Sequence, residues 1–259
     1  VSPEVDINAI NTEGWNRRVR EGDVWTLPVT REQIARARRG EWSVFLTNTK
    51  PVPREWFGDL AGARVLALAS GGGQQGPILA AAGARVTVFD ASPAQLATDA
   101  RVAEREGLEL RCEEGFMHDL LRFADESFDL VFHPVSNCFA PEILPVWREV
   151  FRVLRPGGAL IAGFMNPASY IFDSLAEDRG EVVVRFPLPY SDAGSLTPEE
   201  LALVREEYHT LEFSHTLEEQ IGGQLAAGFQ LTAMYEDAQP QRPVARYLPD
   251  TIATRAVKP

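Results

Sequence analysis

From Arg64 onward, short apolar runs alternate with stretches in which apolar residues recur every three or four positions. Val65–Leu68, Arg85–Phe89, Leu108–Cys112, Phe128–His133 and Ala159–Met165 read as five strands, the first a continuous apolar run of the kind buried on both faces of a parallel sheet. Between them the period lengthens to that of a helix. Leu96, Ala100 and Ala103 fall at i, i+4 and i+7, and Val146, Trp147, Val150, Phe151 and Leu154 form a second stripe. Gln230–Glu236 and Thr251–Val257 add two final strands. Strands alternating with helices at this spacing imply βαβ units, and so an α/β, doubly wound, mostly parallel seven-stranded sheet.

Start and stop residues sharpen these spans. Thr30 is placed to cap a helix running to about Arg39, with Gln33 as its capping-box partner and Gly40 as its stop. Ser92, Pro93 and Gln95 repeat the same device, and Gly107 ends that helix. Pro77 suits a first helical turn and Gly83 a helix end, while Arg155-Pro156-Gly157-Gly158 is expected to stop the helix before the fifth strand. Thr216–Ala227 reads as a helix stopped by Gly228. The alternation breaks after Asn166. Residues 168–212, with a strand-like run at Glu181–Phe186, a Pro-rich loop and a polar helix opened by Thr197-Pro198-Glu199, are expected to form an inserted lid. Residues 1–63 are expected to form an N-terminal arm, leaving 64–167 and 213–259 as the main domain. Four of the five tryptophans lie in the arm, where they either pin it to that domain or, as Trp15 or Trp25, cover a pocket.

Chemistry concentrates at two strand tips. Ser70-Gly71-Gly72-Gly73 turns the chain after the first strand, where side chains would keep a ligand from the backbone, and Asp90 ends the second. Ligands of open α/β sheets bind at the carboxyl ends of the strands. A bare turn beside a carboxylate able to accept from two ribose hydroxyls is a nucleoside-cofactor signal.

Net charge narrows the partners. At −12 the chain is repelled by phosphate backbones, and no Lys/Arg cluster offsets this, so nucleic acid is disfavoured. No apolar run approaches the ~20 residues of a membrane span, and no signal-peptide pattern opens the chain. Cys112 and Cys138 stand outside any metal-binding or CxxC pattern, and His118, His209 and His215 lack ligand spacing. The expected setting is cytoplasmic, without a metal.

The glycine loop, Asp90, the Phe128-Asp129-Leu130-Val131 strand and the Leu154-Arg155-Pro156-Gly157-Gly158 turn together resemble class I S-adenosylmethionine-dependent methyltransferases, in an uncharacterised bacterial small-molecule branch. The resemblance covers about Arg64 to Pro259 apart from the lid. It implies a Rossmann-like fold and S-adenosyl-L-methionine as cofactor, held by Ala69, Ser70, Gly71, Gly73, Gln74, Asp90, Ala91, Gly115, Phe116, Met117 and His133. Two departures stand out. The family's acid-x-Gly-x-Gly-x-Gly begins here with Ala67 and Ala69, so Gln74 or an arm residue takes over the acid's role toward the cofactor's amino group. Gly-Asp after the third strand is Gly115-Phe116, so Phe116 is expected to stack on the adenine.

His133 is a weak candidate for a general base, since an imidazole titrates near neutrality. Trp15, Trp25, Asn137, Tyr170 and Tyr190 are candidate acceptor contacts. The expected activity is methyl transfer to an oxygen or nitrogen of a small molecule. Two alternatives remain. Gly71-x-Gly73-x-x-Gly76 also spells a dinucleotide fingerprint, as in an NAD(P)-dependent oxidoreductase, and the missing acid at Ala67 would suit a non-catalytic cofactor-binding protein.

Overall fold

The computed structural model describes residues 6–259; residues 1–5 of the arm lie outside the described residues. Seven strands form one sheet: β1 (Arg64–Leu68), β2 (Arg85–Asp90), β3 (Leu110–Glu114), β4 (Phe128–His133), β5 (Leu154–Met165), β6 (Gln230–Asp237) and β7 (Thr251–Val257). Their order is β3-β2-β1-β4-β5-β7-β6. The first five pair in parallel, and β7 runs antiparallel to both β5 and β6. The α/β, mostly parallel seven-stranded expectation therefore holds.

Alternation along β1 explains the two-faced core. Val65 and Ala67 point to the layer holding Ile34, Val44, Trp56 and Leu79. Leu66 and Leu68 point to the opposite layer, with Phe89, Trp147 and Val150. Helices cover both faces: α1 (Ile7–Glu21), α2 (Arg31–Arg38), α3 (Gln75–Ala81), α4 (Pro93–Glu106) and α5 (Leu144–Val153). Short α6 (Ser174–Glu177) and α7 (Asp192–Ser195), then α8 (Pro198–Glu207), lie in 168–212, and α9 (Gly223–Ala227) precedes β6.

Several local expectations shift for identifiable reasons. The helix α1 has no strong apolar stripe and escapes a periodicity reading; Asp6 caps it and Gly22 ends it. On α4 the buried face runs through Leu96, Asp99, Val102 and Ala103, while Ala100 is exposed, because a carboxyl occupies the position that periodicity assigns to an alanine. Leu108 closes α4 by donating its N–H to Ala103 O, so β3 starts later, at Leu110. The Arg155–Gly158 turn does not stop α5, which ends at Val153. It forms an irregularity inside β5, held by Gly157 N–H to Lys258 O and Lys258 N–H to Gly158 O. Lys258 Nζ also caps α5 through the Phe151 and Leu154 carbonyls. Of the run 181–186 only Val184 pairs, with Phe172 in a single bridge. Residues 218–222 make a widened π-type turn before α9, where Trp147 Nε1 donates to Glu219 O.

Candidate functional site

A cavity of about 500 Å³ opens at the carboxyl ends of β1, β2 and β4. Ala69, Ser70, Gly71, Gln74, Asp90, Ala91, Gly115, Phe116 and Met117 line it. The turn after β1 has the backbone that glycine supplies: Gly71 and Gly73 have φ of 76° and 73°. A Cβ on Gly72 would lie 2.5 Å from Gln95 O, and one on Gly115 2.3 Å from the Phe89 ring. Gly72 N–H donates to Gln95 Oε1 at 2.7 Å, so the Gln95 side chain braces the turn rather than completing the capping box; Ser92 alone caps α4, accepting from Gln95 N–H. Ala69 also has positive φ, 46°, a strained setting for a residue with a Cβ.

Asp90 sits half-buried at the tip of β2 and accepts from Ser92 N–H at 2.8 Å. Burial pushes its carboxyl up to about 6, and the backbone N–H groups of Ser92 and Ala91 offset part of that rise. A carboxylate has about four lone-pair sites, which leaves capacity for two ribose hydroxyls. The Ser70 hydroxyl is buried without a partner beside the turn. Phe116 is partly exposed and stacks on His118, offering a flat apolar face. A bare turn, an acceptor at the next tip, an orphaned hydroxyl and an aromatic face fit an adenosyl cofactor.

Residues 16–29 close over this end. Val29 N–H donates to Gly73 O at 2.8 Å and Gln74 Nε2 to Leu27 O at 3.0 Å. Asn16 Oδ1 accepts from the Ser92 hydroxyl and Ala94 N–H, docking α1 on the start of α4. Trp42 and Trp56 pack into the body, against Phe57 and Tyr235, whereas Trp15 and Trp25 line the cavity. The tryptophans thus divide between the two uses open to them.

The far end of the cavity is assembled from distant segments. Asn11 bonds Phe139 O, Leu211 O and Leu211 N–H, tying α1 to residues 139 and 211. Phe45–Asn48, Cys138–Ala140 (with Trp15 edge-on to Phe139), Met165, Glu212, Gln239 and Arg242 complete the wall. Asp237 anchors the 47–50 loop by accepting from both threonine hydroxyls, Thr49 N–H and Lys50 N–H, which holds its carboxyl down at about 2. Glu212 Oε2 accepts from the Tyr170 hydroxyl at 2.7 Å, and burial raises the Glu212 carboxyl. Burial also keeps the Cys138 thiol protonated.

Five sequence-named residues do not face the cavity. Gly73 lies under residues 27–29. Tyr190 is turned to Asp192, and Tyr170 reaches the cavity only through Glu212. His133 is fully buried, with Nδ1 3.0 Å from Leu68 O and Nε2 2.8 Å from Asn137 Oδ1. Burial pushes the imidazole down, so it carries one proton. That proton goes to Leu68 O, and Nε2 accepts from the Asn137 amide once the amide's O and N are exchanged, an assignment Gln220 accommodates in turn. His133 therefore fastens β4 to β1 and has no nitrogen left for a base, and Asn137 is used up in the same network. Sequence reasoning missed Asn11, Asn16, Gln95, Thr47 and Glu212. Of these only Gln95 carried a local signal, its spacing from Ser92. Among the described residues no group of three or more His, Cys, Asp or Glu could hold a metal ion, and no helix is long and apolar enough to cross a membrane.

Residues 66–162 match the family described as Methyltransferase domain. Across 250 residues the chain is 45% identical to the uncharacterized methyltransferase YbaJ of Bacillus subtilis (strain 168), covering 96% of this chain and 98% of that one. An S-adenosylmethionine dependent methyltransferase from Mesorhizobium loti shares the fold with a TM-score of 0.61 at 15% identity, over 79% of this chain and 94% of that one. So does geranyl diphosphate C-methyltransferase from Streptomyces coelicolor A3(2), solved with S-adenosyl-L-homocysteine, with a TM-score of 0.62 at 13% identity over the whole of both chains. The literal dinucleotide fingerprint is thus a coincidence of a glycine-rich turn. The chain belongs to the S-adenosylmethionine-dependent methyltransferases, with S-adenosyl-L-methionine as its cofactor.

Proposed function

We propose that the protein methylates an oxygen or nitrogen atom of a small molecule held in the far end of the same cavity. One observation carries this reading. A single enclosure runs from the glycine turn and Asp90 to Glu212 and Arg242, and its volume is in the range of small-molecule sites. The negative charge of the chain further disfavours a nucleic-acid acceptor.

In this reading Asp90 accepts from both ribose hydroxyls, the Gly71 turn lets the backbone approach the cofactor, and Phe116 faces the adenine. The cofactor supplies an already activated methyl group on a sulfonium. What remains for the chain is to hold the acceptor in line at about 3–3.5 Å and to keep water out. The arm does the second task by closing on the glycine turn through Val29 and Gln74. The 45–48 loop and residues 138–140 do the first by walling the far end.

Ligand-induced stabilisation tests the cofactor half. S-adenosylhomocysteine at about 100 times its dissociation constant adds ~2.7 kcal/mol, a melting shift of about 5–10 °C for a chain of this size. NADH at the same concentration gives none. A shift with NADH and none with S-adenosylhomocysteine would overturn the reading. Mass spectrometry of an acceptor panel then reads the methylated atom, and a product methylated on carbon alone would refute the oxygen-or-nitrogen assignment.

A further inference from the structure

We infer that the far end of the cavity is built for an acceptor bearing a basic nitrogen on an apolar body, with the nitrogen against Glu212. The inference rests on the methyltransferase reading of this cavity and narrows its acceptor to an amine.

Charge pairing carries the case. Two guanidiniums reach the far wall, and each is already held by other carboxylates: Arg18 by Asp23 at 3.0 Å, and Arg242 by Glu177 and by Asp250 at 3.2 Å. Glu212 forms no ion pair among the described residues: Arg242 and Arg18 lower its carboxyl through space and Asp192 raises it, but neither guanidinium contacts it. Its Oε2 takes the Tyr170 hydroxyl, and its Oε1 has no hydrogen-bond partner there. The cavity that Glu212 lines is walled in part by apolar and aromatic residues, among them Phe45, Leu46, Phe139 and Met165. A carboxylate in such surroundings is costly unless a cation meets it. An alcohol would supply one hydrogen bond but no charge, and an acid would be repelled by Glu212 while Arg18 and Arg242 stay held by their own carboxylates.

The arrangement gives the nitrogen's proton a destination. An ammonium bound at Glu212 passes one proton to Oε1, leaving a neutral amine and a neutral carboxyl. Burial raises the Glu212 carboxyl, which brings its proton affinity closer to that of the amine. The freed lone pair then forms the N–C bond as the methyl–sulfur bond breaks with its electrons remaining on sulfur. The carboxyl returns its proton to solvent after product leaves.

A matched probe series tests this. Benzylamine, benzyl alcohol and benzoate share one apolar body and differ in the head group. Binding of each is measured by calorimetry to the full chain saturated with S-adenosylhomocysteine. The amine is expected to bind at least about tenfold more tightly than the alcohol, and benzoate most weakly. Glu212→Gln should weaken the amine about tenfold and change the alcohol less than about twofold, with S-adenosylhomocysteine affinity unchanged as the check on folding. Tyr170→Phe keeps the carboxylate and should keep the amine preference. Equal binding of amine and alcohol, a preference for benzoate, no amine binding at millimolar concentration, or an amine preference that survives Glu212→Gln each overturns the inference. Failure of S-adenosylhomocysteine to bind would instead strike the cofactor reading, and the probe series could still be read on the free protein.

Discussion

At one end of the cavity, the glycine turn and Asp90 come from the single span 64–90; at the other, Asn11, Thr47, Cys138, Met165, Glu212 and Arg242 come from six separated places in the chain. The first end is held by short-range backbone features: positive φ at Gly71 and Gly73, and a carboxylate fixed by the N–H two residues on. The second is held by side chains reaching across more than a hundred positions, such as Asn11 to Phe139 and Leu211, and Thr47 to Asp237. A group common to all substrates of a fold can be met by a local device. A variable acceptor is met by pieces that can change separately. The two ends should therefore fail in different ways.

The largest expected effect is at the local end. Asp90→Ala should weaken S-adenosylhomocysteine binding by about 100-fold or more, because hydrogen bonds to a charged acceptor are each worth ~1.5–3 kcal/mol. Calorimetry reads it, and a change under about threefold would remove Asp90 from the ribose site. The pH dependence has a definite sign. The carboxyl is raised from 3.8 to about 6 in the folded chain, so the charged form that accepts hydroxyls is lost as pH falls through about 6, and binding should weaken by about tenfold per unit below that. Stability without cofactor moves the other way. Between those two values the folded state binds the proton more tightly than the unfolded state, so the burial penalty is absent below about 4 and complete above about 6. Asp90→Asn should then stabilise the free protein by about 1–3 kcal/mol at pH 7–8 and by nothing near pH 4. Function and stability oppose each other at this residue.

The same contrast explains what could be read from the sequence. β1, the glycine turn, β2 and Asp90 are consecutive, so their period and punctuation identify the fold and one end of the cavity. Arg155–Gly158 was legible as a break but not as an irregularity within β5, because its partner, Lys258, lies about a hundred residues away. α1 carries polar residues on both faces, and its burial depends on Gly14 lying against the His209 carbonyl, a contact no local pattern encodes. His133 looked available because it ends a strand. Two buried partners, the Leu68 carbonyl that takes its proton and the Asn137 amide at its other nitrogen, make it structural. Glu212 sits in an unremarkable stretch and acquires its setting only when Tyr170 and Cys138 are brought to it.

A smaller effect is expected where the distant pieces meet. Asn11→Ala removes three hydrogen bonds and leaves the Leu211 N–H and two carbonyls unpaired inside the protein. The expected loss is about 2–3 kcal/mol of stability, seen as a lower urea midpoint at unchanged slope. Binding of S-adenosylhomocysteine should change less than about fivefold, since Asn16 still docks α1 on α4. If cofactor affinity collapses along with stability, the two ends are one cooperative unit and the comparison fails.

The smallest effect belongs to Ala69, where the resembled motif has glycine. Its φ of 46° costs a residue with a Cβ ~1–2 kcal/mol, while glycine there loses ~0.5–1 kcal/mol more backbone freedom on folding. Ala69→Gly should therefore gain about 0.5 kcal/mol, and no more than about 1 kcal/mol. Urea unfolding at about pH 8, above the range in which Asp90 titrates, measures it. A loss of 1 kcal/mol or more would mean that the methyl group packs usefully against the cavity wall. The strain would then be held in place by the site itself, and affinity for S-adenosylhomocysteine should drop with it. Stability gained at constant affinity would show instead that the turn tolerates either residue, because the Ala69 N–H to Phe89 O bond fixes its position.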